Sequence, residues 1–271
     1  MILTLTENSD FKRNFKNLFG IFENKVDIEN KIFEKIQIKN ISIKKKVSSN
    51  YIKKITGSEV KVVLCQNNLK LLKKNDFKTY RTSEEFLINL CTNTFFKILG
   101  LSKAEPSELN LAVFDPQGHC VDLIKKFIFY SKSLTVISNN LGIYQKEQDH
   151  LLKNYGATFF VSNDLNYLFK EKIIFAPKKI NIKLPLKKGS IVFTSSKACY
   201  QMNGIIYNEY KLKKTKKLEK ILPEGISSEC FLSALYDVYN IKKIKNLVPD
   251  FCFNGIKYES VGDVSRKLRF L

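Results

Sequence analysis

The sequence predicts an α/β protein built on a mostly parallel sheet with helices on both faces, plus a smaller N-terminal α/β unit. Three observations predict it. Between Leu109 and Ser196, short apolar runs alternate with amphipathic stretches. The runs are apolar at successive positions rather than alternate ones, as strands buried on both faces must be. Turn residues such as Pro116, Gly118, Gly156 and Gly189 punctuate them.

LNLAVFDP (109–116) reads as a first strand, ended by Pro116 and Gly118. VDLIKKFIFYSK (121–132) follows as a helix, with Val121, Ile124 and Ile128 at helical spacing. SLTVISNN (133–140) is a second strand, and IYQKEQDHLLKNYG (143–156) an amphipathic helix stopped by Gly156. ATFFVSND (157–164) makes a third strand and LNYLFKE a short helix or turn. KIIFAP (172–177) makes a fourth strand, and SIVFTSS (190–196) a fifth after the turn at Lys188-Gly189.

The N-terminal hundred residues mix β-like stretches (MILTLTEN, VKVVLCQN) with stretches at helical spacing (DIENKIFEKI, SEEFLINLCTNTFFKIL). In the last of these Phe86, Leu87, Leu90, Phe95 and Leu99 share a helical face, Ser83 is placed to cap it, and Gly100 to end it. Pro223-Glu224-Gly225 introduces a helix from Ser227 to Asn240 with a stripe of Phe231, Leu235 and Tyr239. VPDFCFNGIKYESVG reads as strand or loop turning at Asn254-Gly255, and the basic tail RKLRFL as the close of a helix. The expected organisation is an N-terminal α/β unit over 1–104, the sheet layer over 105–200, and a C-terminal helical segment over 201–271 packing on the body.

Strands joined by right-handed crossovers gather their carboxyl ends on one edge, where ligands bind as the strand order reverses. That edge would carry Asp115, Gln117, Gly118 and His119, then Ser138, Asn139 and Asn140. Ser162 to Asp164, Ala176-Pro177, and Thr194 to Ser196 complete it. Over about 109–196 the chain resembles, at the level of fold, the nucleotide-binding half of Rossmann-type enzymes. The resemblance implies a nucleotide or dinucleotide such as NAD(P) as cofactor, with Asp115, Gln117, Gly118, Ser138, Asn139, Asn140, Thr194 and Ser195 as its contacts.

Several residues depart from that pattern. G-x-G-x-x-G lets the backbone turn tightly and approach a pyrophosphate, whereas DPQGHC has one glycine, and Pro116 lacks an N–H. Ser138-Asn139-Asn140 stand where an acidic residue would take the ribose hydroxyls, which disfavours classical NAD binding and leaves an altered pocket open. Asp115 suits either a ligand hydrogen bond or a turn within its own loop. His119 is the one catalytic candidate, since imidazole titrates in the right range, although spacing fixes no partner beside it. His150 lies among Gln145, Glu147 and Asp149 and reads as a surface residue. GxxxxGK[ST], HExxH, GxSxG and calcium-loop spacings do not occur, so nothing points to a metal site.

The formal charge of +20 suggests an anionic partner such as nucleic acid. Nearly all of it is lysine, with Arg13, Arg81, Arg266 and Arg269 the only guanidinium groups, which argues for charge spread over solvated faces. The densest runs are Lys44-Lys45-Lys46 and Lys211 to Lys220. Cys65, Cys91, Cys120, Cys199, Cys230 and Cys252 are scattered without CxxC spacing and read as reduced, mostly buried thiols. Lys or Asn breaks every apolar run before membrane-spanning length, and MILTLTENSDFKRNF inverts the order of a secretory signal, so a cytoplasmic protein is expected.

Three function classes follow: an enzyme with a divergent nucleotide site, a relative of NAD(P)-dependent oxidoreductases; a non-catalytic binding or regulatory protein that keeps the fold; and a binder of anionic surfaces. The first two rank level.

Overall fold

The computed structural model describes residues 1–7, 26–33, 35–44, 47–57, 59–66, 79–240 and 248–269. In chain order the elements begin β1 (Ile2–Glu7), β2 (Val26–Phe33), β3 (Ile36–Ile43), α1 (Ser49–Thr56), β4 (Val62–Cys65) and α2 (Glu84–Ser102). Next come β5 (Asn110–Phe114), α3 (Ile124–Phe129), β6 (Ser133–Ile137), α4 (Leu141–Tyr155), β7 (Phe160–Ser162), β8 (Ile173–Ala176) and β9 (Ile191–Thr194). The last are β10 (Ile205–Tyr207), β11 (Glu209–Leu212), α5 (Lys216–Glu219), α6 (Ser228–Val238), β12 (Pro249–Phe253), β13 (Tyr258–Ser260) and α7 (Val261–Leu268). They form two compact units, one of Met1–Phe86 with Lys214–Asn246, the other of Leu87–Lys213 with Leu247–Leu271.

In the first unit a four-stranded sheet has the order β2-β3-β1-β4, with β1 parallel to both neighbours and β2 antiparallel to β3. The alternation of ILTLTE sends Leu3 and Leu5 into a core with Ile41, Ile43, Ile52 and Val63, leaving Thr4 and Thr6 to the other face. DIENKIFEKI is not a helix. Its first residues form β2, paired over eight residues with β3. Its Ile28 and Ile32 stand 45% and 68% exposed on an edge strand whose charges face water. The Ser227 hydroxyl caps α6 by accepting from the Cys230 N–H, and Phe231 packs edge-on against Phe33 at 5.5 Å.

In the second unit six parallel strands run in the order β10-β9-β8-β5-β6-β7. Both faces of the sheet are buried. On one, Phe175 and Phe193 meet Phe95 of α2 and Phe127 of α3, with ring centroids 5.0 to 5.8 Å apart. On the other, Ala112, Ile174 and Val192 pack with Leu168, Leu184, Leu186 and Met202. A separate antiparallel sheet has the order β11-β12-β13, its turn at Asn254-Gly255 as expected.

Some boundaries differ from the sequence reading. The Ser83 hydroxyl caps α2 by accepting from the Phe86 N–H, but the helix runs through Gly100 to Ser102, and the left-handed turn that ends it falls on Lys103 (φ 52°). The expected helix 121–132 is a 3₁₀ turn over Val121–Leu123 followed by the six residues of α3, with Ile124 and Phe127 as its buried pair. Gly156 terminates α4 with φ 64°, as its sequence predicts. The sixth strand, β10, was not expected from the sequence.

Candidate site at the carboxyl edge of the parallel sheet

From β5 the chain steps outward to β6 and β7, then returns to β8 on the opposite side of β5. The order therefore reverses between β5 and β8, and the loops after these two strands diverge.

The loop after β5 is fixed from beneath. The Asp115 carboxylate, buried at the strand end, accepts from the Cys120 N–H at 2.6 Å and the Tyr144 hydroxyl at 2.6 Å. Burial, reinforced by the Asp115 carboxylate, pushes the Tyr144 phenol far above its ordinary range and acts likewise on the Cys120 thiol. Tyr144 therefore stays a donor and Cys120 a protonated, unreactive thiol. Gly118 takes φ 81°, and a Cβ there would lie 2.1 Å from Ile143 Cδ1 of α4. A single glycine thus serves both the turn and its packing on α4.

Above this base, exposed Gln117 and His119 meet half-buried Lys178. Lys178 Nζ donates to Gln117 Oε1 at 2.7 Å, and His119 Nε2 lies 3.0 Å from the same oxygen. Lys178 belongs to the loop after β8, held where the Thr194 hydroxyl donates to its carbonyl at 2.9 Å and the Ser195 N–H donates to Pro177. After β6 the Ser138 hydroxyl accepts from the Asn140 N–H at 3.1 Å, the Asn139 N–H donates to Pro116, and both asparagines are exposed.

The residues expected at the carboxyl edge fall there into two layers around Gly118. Asp115, Ser138, Thr194 and Ser195 are buried; the first three use their side chains, and Ser195 its N–H, to hold loop backbone. Gln117, His119, Asn139 and Asn140 face outward. Sequence reasoning missed Lys178 and Tyr144: the first sits in a Lys-Lys pair indistinguishable from other lysines, the second inside a helix. His150 is exposed, contacting Asn154 one turn on. Cys91, Cys120 and Cys252 are buried, Cys65 and Cys230 half-buried and Cys199 exposed, all as free thiols. Lys44 pairs with Asp27 at 2.8 Å, Lys45 and Lys46 lie outside the described residues, and the Lys211–Lys220 run is divided between β11 and α5. Among the described residues no helix is long and apolar enough to cross a membrane, and no group of three His, Cys, Asp or Glu side chains is placed to hold a metal ion.

No known family's model matches this chain, and no curated protein does. Among solved structures it is similar to L-tryptophan dehydrogenase from Nostoc punctiforme, at 12% identity and a TM-score of 0.33, covering 85% of this chain and 68% of that one. So loose a likeness carries nothing about a site. The protein's own topology is more informative: numbered from β5, its parallel strands stand in the order 3-2-1-4-5-6, which makes the second unit a Rossmann-like α/β fold.

Proposed function

We propose that the protein binds a phosphate-bearing nucleotide between the loops after β5 and β8, at an altered form of the NAD(P) site. The observation that carries this is the position of Lys178 where the strand order reverses. Its hydrogen-bond partner is the neutral carboxamide of Gln117, so its charge is available to an anion. A lysine ammonium serves phosphate as a point charge where a glycine-rich turn does not supply backbone donors. Asn139 and Asn140, neutral and exposed, tolerate a phosphorylated ribose better than an acid would. Gln117, Gly118, His119, Asn139, Asn140 and Lys178 would face the ligand, while Asp115, Ser138, Thr194 and Ser195 shape the loops.

The test is thermal unfolding of the desalted protein with NAD, NADP, their reduced forms, ATP and S-adenosylmethionine. A ligand at ~100 times its dissociation constant stabilises the native state by about 2.7 kcal/mol. A saturable upward shift with one of them, lost in Lys178→Met, is the expected result; no shift with any removes the proposal.

A second reading, a non-catalytic protein that retains the fold, is favoured by one observation. Asp115, the acid at the end of β5, has its carboxylate engaged by the Cys120 N–H and the Tyr144 hydroxyl. In that case His119→Ala leaves any ligand-induced shift intact and no turnover accompanies binding.

A further inference from the structure

The first unit carries a polar pocket of about 380 Å³, within the roughly 300–1,000 Å³ of small-molecule sites. We infer that this pocket binds a small organic cation, an amine or guanidinium compound, independently of any nucleotide site.

The register of the four-stranded sheet builds its floor. Asp27 of β2 pairs with Ser42 of β3, and Ser42 with Thr6 of β1. Gln66 is the next residue after β4, held by a 2.9 Å bond from its N–H to the Leu5 carbonyl. One polar row therefore crosses the sheet on the face opposite Leu3 and Leu5, because paired residues point the same way. Thr6 is only 7% exposed and lines the pocket, yet its hydroxyl has no hydrogen-bond partner among the described residues. That hydroxyl opens into the pocket, where it can donate to or accept from a ligand's polar atom. By contrast Asn40, in the next row, has both ends of its carboxamide engaged: it accepts from the Thr4 hydroxyl at 2.6 Å and donates to the Ile221 carbonyl at 3.2 Å.

The sign of the ligand's charge follows from the rim. Glu7, Asp27, Glu29 and Glu224 line the pocket, and among the described residues no lysine or arginine does. Lys44 and Lys31 pair with Asp27 and Glu29 at 2.8 and 2.9 Å, while Glu224 has no ion-pair partner among the described residues. On a chain of net charge +20 the surface at large repels cations, so a locally acidic concavity is a specific exception rather than part of a general field. The absence of any three-ligand group among the described residues favours an organic cation over a divalent metal ion. The roof is set closely: Gly225 has φ 84°, and a Cβ there would lie 2.6 Å from Gln66 Cγ, which holds the Pro223-Glu224 turn over the row.

Calorimetric titration of the full chain with agmatine and with putrescine, against sodium chloride at matched ionic strength, tests this. Saturable binding of at least one amine at millimolar concentration or below is expected. It should weaken at least fivefold in Glu224→Gln, an exposed change that leaves the core intact, and in Thr6→Val, which keeps the shape and removes the hydroxyl. Unliganded melting temperatures establish that both variants fold. Lys178→Met should bind the amine as the unmodified chain does, which separates this site from the nucleotide site. No saturable heat with either amine, or unchanged affinity in both pocket variants, overturns the inference.

Discussion

The Tyr144 hydroxyl donates a 2.6 Å hydrogen bond to the Asp115 carboxylate, joining α4 to the end of β5 beneath the candidate site. Both groups are buried. A hydrogen bond to a charged group contributes about 1.5–3 kcal/mol, so Tyr144→Phe should lower the unfolding free energy in urea by that amount. Asp115→Ala should cost more, because it also strands the Cys120 N–H. A loss under about 0.5 kcal/mol in Tyr144→Phe would show that the bond does not hold the loop.

Gly118 sets the loop's path. Gly118→Ala combines a left-handed residue, costing roughly 1–2 kcal/mol, with the contact to Ile143. Ile143→Ala removes the contact but not the dihedral strain. The two losses should therefore be sub-additive in a double-mutant cycle, with a residual penalty of about 1 kcal/mol in the Gly118→Ala, Ile143→Ala protein.

Stability of the second unit should fall in acid through Glu259. Burial opposes its ionisation, but bonds from Lys267 at 2.7 and 2.9 Å, with the Tyr207 phenol, prevail and hold the carboxyl below its ordinary range. A carboxyl lowered on folding is protonated first in the unfolded chain. Its stabilisation is therefore complete above the unfolded value of about 4.3 and lost as pH falls through the folded one. Glu259→Gln should flatten the acid limb of the melting temperature against pH. Because Lys267 is 38% exposed, the cost at neutral pH should be only about 1 kcal/mol.

Glu171 carries the opposite sign. Burial raises it, and the Thr135 hydroxyl offsets this only in part. The folded state then holds its proton more tightly than the unfolded one, so ionisation at neutral pH works against folding. Glu171→Gln keeps an acceptor for Thr135 and should leave the neutral-pH melting temperature unchanged or higher; a clear drop would refute this.

Thiol labelling of the folded protein should modify Cys199 first. Cys65 is pushed up to about 11 and Cys91 and Cys252 to about 12, each chiefly by burial, so they should react only on unfolding. Mass-spectrometric mapping after brief iodoacetamide treatment reads the order directly.

The parallel strands and their loops were legible in the chain because complete burial demands runs such as LAVF and IVFT, and such runs depend on local composition. The cap at Ser83 and the stop at Gly156 were legible for the same reason, each being a contact within a few residues. Where local signals competed, they misled: DIENKIFEKI reads as a helix, but the pairing of its first residues with β3 decides their form.

The sequence by itself determined the α/β class, the strands β5 to β9 and the set of residues at their carboxyl ends. The tertiary structure alone decided the strand order, the meeting of Lys178 with Gln117 across 61 positions, and the return of residues 214–246 to the N-terminal unit. It likewise turned Asp115 from an available acid into an anchor for Tyr144. The division has a physical cause: burial patterns and caps act over a few residues and leave a trace in composition, whereas pairing between distant segments depends on how chain entropy is traded against burial over the whole fold.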